Sequence, residues 1–117
     1  MGDLTKNFSR WEFACRCAEK CGFDTIDFKV LEVLQRLRDH FESPITINSG
    51  CRCEAHNIRV HGDSKSQHLK GRAVDFTIEY WDPYPIYQYL NKFWEGGLGK
   101  YATFTHIDSR SSRARWG

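Results

Sequence analysis

Apolar residues recur every three to four positions along residues 27–41, "DFKVLEVLQRLRDHF", where Val30 or Leu31, Leu34, Leu37 or Arg38, and Phe41 stand at helical spacing. That period predicts an amphipathic helix, capped at its start by Asp27 and stopped before Pro44. Elsewhere the period is two. "ITINS" at 45–49 and "AVDFTI" at 73–78 are rich in β-branched residues and read as strands. In the second strand Val74, Phe76 and Ile78 share the face that enters the core, and Ala73, Asp75 and Thr77 share the other. "TFTHIDS" at 103–109 reads as a third strand, with Phe104, His106 and Asp108 on one face. Shorter signals fill the intervals. "FSRWEF" starts a short helix with Ser9 as its N-cap, Gly50 makes a turn, residues 53–60 form a short helix and 61–66 a loop. Residues 82–94 read as a helix entered through two prolines, and "GGLG" at 96–99 as a turn. The elements add up to an α+β fold, a small antiparallel sheet with helices packed against it.

Composition narrows the classes. A chain of 117 residues predicts a single domain over 1–117, and 40% hydrophobic with 27% charged residues is a folded composition. A net charge of +2 gives little attraction for a polyanion, so no nucleic-acid partner is expected. The local basic cluster of Arg110, Arg113 and Arg115 reads either as a solvated tail or as attraction to an anionic substrate. No apolar run reaches the roughly 20 residues of a membrane span. The opening "MGDLTKNFSR" lacks the apolar stretch of a secretory signal, which places synthesis in the cytoplasm. The five cysteines form two groups, Cys15, Cys17 and Cys21, then Cys51 and Cys53. Their number and spacing leave three readings open: buried thiols, one disulfide, or a second, structural metal shared between the groups.

The mixed stretch "SQHLKGRAVD" at 66–75 carries the candidate chemistry. A hydrolytic zinc site needs three protein ligands and one open position for water. His68, Asp75 and His106 could supply them if the two later strands pair, with Gly71 and Ala73 small so that the backbone passes close by. Each residue also has an ordinary reading: a solvated loop histidine, an exposed or hydrogen-bonded aspartate, and a satisfied core histidine.

The spacing Ser66, His68, Gly71, Ala73, Asp75 resembles the S-x-H-x2-G-x-A-x-D signature of the zinc D,D-peptidase family. Members of that family cut peptidoglycan stem peptides, as D-Ala-D-Ala carboxypeptidases or as endopeptidases of phage and bacteria. "INSGCRCEAHN" at 47–57 resembles the family's S-G-Y-R-x3-H-N segment, and "FTHIDSRSSRARW" at 104–116 its F-x-H-x-D strand and closing R-W. The likeness runs from about residue 8 to 116. It implies a Hedgehog/D,D-peptidase-like fold with zinc in a groove on the sheet, held by His68, Asp75 and His106. It further implies that Arg52 meets a substrate carboxylate or the developing oxyanion, a task suited to a guanidinium fork. Ser66 would line the site, and Trp116 would wall the groove. The implied reaction is zinc-dependent hydrolysis of an amide in a peptidoglycan peptide, by a monomer that reaches the wall through export or release. The alternative is a non-catalytic zinc-containing relative that serves as a wall-binding or phage structural module.

Two positions depart from the pattern. Relatives often carry Glu or Asp three residues before the last zinc histidine, where this chain has Thr103. Asp108 is then the candidate general base, or else a carboxylate that orients His106, with Glu79 a further option for the base. Cys51 stands where relatives often have Tyr, which brings a thiol, Cys51 or Cys53, near the expected site.

Overall fold

The computed structural model describes residues 2, 4–17, 26–52, 54–60 and 66–117, the side chains of 54–56 and 70 excepted. Cys21, Cys53 and the loop at 61–65 lie outside the described residues. The chain opens with a short 3-10 helix, Arg10–Phe13, whose preceding Ser9 donates its backbone N–H to the Glu12 carboxylate at 2.7 Å. Helix α1, Phe28–Phe41, begins where expected, with the Asp27 carboxylate accepting from Lys29 N. It ends at Glu42, which takes a left-handed conformation two residues before Pro44. Strand β1 is Ile45–Ser49, α2 is Glu54–Arg59, and a second 3-10 helix is Gln67–Lys70. Then follow β2, Ala73–Ile78, and α3, Pro83–Asn91. The chain closes through β3, Gly97–Lys100, β4, Thr105–Asp108, and β5, Ala114–Trp116.

The five strands form one sheet in the order β1-β2-β4-β3-β5, antiparallel except for the parallel pair β3 and β5. Helix α1 buries Val30, Leu31, Val33, Leu34, Leu37 and Phe41. They join Val74, Phe76, Ile78, Leu98 and Ile107 of the sheet, and Ile86 and Leu90 of α3, in one core. Burying each such side chain contributes about 1.5–3 kcal/mol relative to exposure, so packing of this face, more than intrinsic propensity, holds α1 in place. Among the described residues no helix is long and apolar enough to cross a membrane.

Four expectations change. "GGLG" is not a turn: from Gly97 onward it is strand, paired on both sides. The arginine-rich end is not a solvated tail. It closes in a strand: Arg113, just before it, donates to Asn91 O at 2.7 Å, and Arg115, within it, donates to Gly96 O at 2.7 Å and to Trp94 O. The helix expected over 82–94 stops at Asn91, and the strand expected over 103–109 spans only Thr105–Asp108.

Candidate metal centre

Strand pairing sets out the site in rows. Asp75 of β2 stands directly opposite His106 of β4, so their side chains leave the same face of the sheet. The same row continues to Ser49 of β1 on one side, and through Gly99 of β3 to Trp116 of β5 on the other. The next row holds Ala73, Asp108, Gly97 and Ala114. Val74, Phe76 and Ile107 alternate with these residues and take the core side. The register of β1 against β2 shifts between Ile47 and Ser49, just before the segment that carries Gly50 and Arg52.

His68 comes from the 3-10 helix Gln67–Lys70. Ser66 caps that turn, its hydroxyl accepting from His68 N at 3.2 Å. Gly71 ends the turn at φ +66°, a conformation that side chains other than glycine's resist, and this replaces close passage of the backbone as the reason for a glycine there. His68 is 2% exposed, and its Nδ1 lies 2.5 Å from the Gly50 carbonyl. A carbonyl only accepts, so Nδ1 carries the proton and Nε2 is left with a lone pair. That Nε2 is buried without a hydrogen-bond partner among the described residues, 3.4 Å from Asp75 Oδ2.

His106 is turned the other way. Its Nε2 lies 2.8 Å from Asp108 Oδ2 and its Nδ1 lies 2.7 Å from Asp75 Oδ1. A neutral imidazole has one donor and one acceptor, so between two carboxylates one nitrogen would face oxygen lone pair to lone pair. A proton resolves the conflict, and so does a cation. Burial, the largest influence, would lower the His106 pKa, but the bonds to Asp108 and then Asp75, with their charges, raise it. Burial, the largest influence, would likewise raise Asp75, yet the hydrogen bond to His106 and the nearness of both histidines hold it well below the usual carboxylate range.

Potential ligand atoms of His68, Asp75 and His106 all lie within 4.8 Å of one another. An orphaned buried imidazole nitrogen, a carboxylate held ionised and a second imidazole aimed at that carboxylate form the two-nitrogen, one-oxygen donor set that suits zinc. The donors therefore fit the metal. Among the described residues no other group of this kind occurs. Cys15, Cys17 and Cys51 are buried together and do not make a second one.

Arg52 enters from beyond β1. Its Nη1 donates to Asn57 Oδ1 at 2.9 Å, and its Nη2 is 3.8 Å from Asp75 Oδ2. Burial lowers its pKa, and Asp75, then Cys15, offset part of that effect. Trp116 lies with its ring 5.2 Å from that of His106. It can lean in because Gly99, between them in the row, has no side chain: a Cβ there would collide with the indole nitrogen. That nitrogen donates to Tyr101 Oη at 2.8 Å. Thr103 is exposed, and so is Glu79, which follows β2 four residues beyond Asp75, roughly 13 Å along the strand direction.

Asp108 is 0% exposed. Its Oδ1 accepts from Gly97 N at 3.0 Å, Arg110 N at 3.2 Å and Arg110 Nε at 2.8 Å. Its Oδ2 accepts from Arg110 Nη2 at 2.7 Å besides facing His106. Burial would raise its pKa, but the bonds from His106 and Arg110 prevail and keep it well below the ordinary range. A sealed, strongly acidic carboxylate holds a neighbour in place far better than it takes a proton from water. A cavity of about 630 Å³ opens between α1 and residues 93–96, bordered by Lys29, Arg36, Phe93 and Arg110. None of the three ligand candidates lines it, so it is separate from the metal centre.

Sequence reasoning singled out the three ligand candidates, Arg52, Ser66, Asp108 and Trp116, and the fold gathers them around the Asp75–His106 row. It missed the Gly50 carbonyl, the roles of Gly97 and Gly99, and the contact of Arg110 with Asp108. The alternation of Gly97 and Gly99, matching that of His106 and Asp108, was a readable signal. The Gly50 carbonyl left none. A family model described as Peptidase M15 matches residues 6–108, and no curated protein matches the chain.

Proposed function

The chain belongs to the peptidase M15 family, and on that premise we propose that it is a zinc metallopeptidase that hydrolyses an amide bond in peptidoglycan stem peptides. The observation that carries this reading is the convergence of His68, Asp75 and His106 within 4.8 Å on the open face of the sheet. Zinc in such a site would supply a Lewis acid and would make a water far more acidic than it is in bulk. Around it the chain's own residues divide the work. His68 through Nε2, Asp75 through a carboxylate oxygen and His106 through Nδ1 would hold the ion. Gly50 and Asp108 fix the two rings by holding the opposite nitrogens. Arg52, poised 3.8 Å from Asp75, offers its guanidinium to a substrate carboxylate or to charge developing on the scissile carbonyl. Ser66 holds the turn that presents His68, and Trp116 gives the peptide a flat apolar wall. Asp108 acts as the orienting carboxylate and not as the general base.

A second reading has its own observation. Asp108 has no free oxygen and Thr103 brings no carboxylate, which favours a zinc-containing relative that binds cell wall or serves as a phage structural module without cutting. One assay separates the two. Purified cell wall is incubated with zinc-loaded chain, chelator-treated chain and His106→Ala, and released fragments are analysed by mass spectrometry. New amine termini with the zinc-loaded chain alone are the expected result, and their fragments identify the bond cut. Their absence rejects the peptidase reading.

A further inference from the structure

We propose that Arg110 is a positioning residue for the metal ligand His106, acting through Asp108 and never touching the ion. The inference rests on the reading of His68, Asp75 and His106 as metal ligands. Arg110 grips Asp108 with a fork: Nε to Oδ1 at 2.8 Å and Nη2 to Oδ2 at 2.7 Å, with its own backbone N–H adding a bond to Oδ1 at 3.2 Å. A two-point grip fixes the plane of a carboxylate, where a single ammonium would leave it free to turn. The plane matters because Oδ2 is the atom that faces His106 Nε2. With Oδ2 held, the imidazole cannot rotate, and Nδ1 stays aimed at Asp75. Ala73 and Gly97 flank Asp108 in its row, and the carboxylate occupies the space that Gly97 leaves free: a Cβ on Gly97 would collide with both Asp108 oxygens.

The guanidinium is itself braced. Its central carbon lies 5.0 Å from the centre of the Trp116 ring, and that ring lies 5.2 Å from His106. Arg110 thus closes a loop from His106 through Asp108 and Trp116 back to His106. His106, Asp108 and Arg110 stand at i, i+2 and i+4; β4 ends at Asp108, and the bond from Arg110 N–H back to the Asp108 carboxylate brings Arg110 beside it.

The test measures metal binding, not turnover. Zinc affinity is determined by competition with a chromophoric chelator, and the visible spectrum of the cobalt-loaded chain is recorded, for the unmodified chain, Arg110→Lys, Arg110→Ala and Arg113→Ala. Arg110→Lys keeps the charge and loses the fork. It is expected to fold as the unmodified chain does, bind zinc about tenfold more weakly and move the cobalt bands, as loss of an outer partner to a ligand does. Arg110→Ala loses at least as much. Arg113 bonds to Asn91 and Trp94 and makes no contact with Asp108, so Arg113→Ala leaves both readouts unchanged. If Arg110→Ala does not fold, Arg110→Lys decides. Zinc affinity within twofold and unshifted cobalt bands in Arg110→Lys overturn the proposal while leaving the metal centre intact. An unmodified chain that binds no zinc overturns the metal centre and the proposal together.

Discussion

At the scale of single residues, the space around Asp108 is as consequential as its bonds. Gly97 contributes its N–H to that carboxylate and, by lacking a side chain, the room it occupies. Gly97→Ala would drive a methyl group into two oxygens already gripped by Arg110 and His106. Something must move, and forced repacking of a close-packed site costs about 1–3 kcal/mol. We expect a lower denaturation midpoint together with weaker zinc binding, read by urea unfolding and chelator competition. A variant as stable and as avid for zinc as the unmodified chain would show that the carboxylate has slack.

At the scale of elements, β5 is fastened by Arg115 as well as by its pairing with β3. Arg115 donates to Asn91 Oδ1, Gly96 O, Ala114 O and Trp94 O, joining the last strand to the end of α3. Arg115→Ala leaves several of those acceptors to water and should cost about 1–2 kcal/mol, since a hydrogen bond to a charged group contributes more than a neutral one. Limited proteolysis should then cut near the C-terminus sooner than in the unmodified chain. Equal protection would mean that the strand pairing alone suffices. This element was also the least legible in the sequence. Strand alternation in "AVDFTI" and "THID" revealed β2, β4 and the facing of Asp75 and His106, because one buried face imposes a period of two. The strands β3 and β5 carry no such imprint. Glycines that serve as clearance for Asp108 and Trp116 read locally as a turn, and arginines whose acceptors are backbone carbonyls read as a solvated run. Their meaning lies in contacts made across long stretches of chain, which a local pattern does not contain. The same limit applied to the site. Ligand types and spacing were visible, whereas the Gly50 carbonyl that sets the His68 tautomer is a backbone atom with no residue signature.

At the scale of the whole molecule, the metal-free chain holds its charges in a pattern with a definite pH response. His106 is raised above its ordinary value, burial being outweighed by Asp108 and Asp75, so its contribution to stability is complete below the unfolded value of about 6.5. That contribution is lost as pH rises through the folded value. Asp75 and Asp108 are held low against burial by their histidine and arginine partners, so theirs is present above about 3.9 and lost as pH falls through their folded values. In chelator, the melting temperature should therefore fall as pH rises from about 6.5 through the raised folded value of His106. With zinc the trend should reverse over the lower part of that range, because the ligand nitrogens must shed protons to bind. Thermal unfolding in the two conditions reads both slopes, and a flat profile in chelator would remove His106 as the responsive group.

The direct opposition of Asp75 and His106 across β2 and β4 has a consequence for assembly of the chain. A slip of one residue between those strands would swing one partner to the helix-covered side and separate the pair, leaving His68 beside a single donor. A bound ion is accordingly an inspector of alignment: it rewards the correct pairing of two strands joined by a long stretch of intervening chain, and withholds that reward from every near miss.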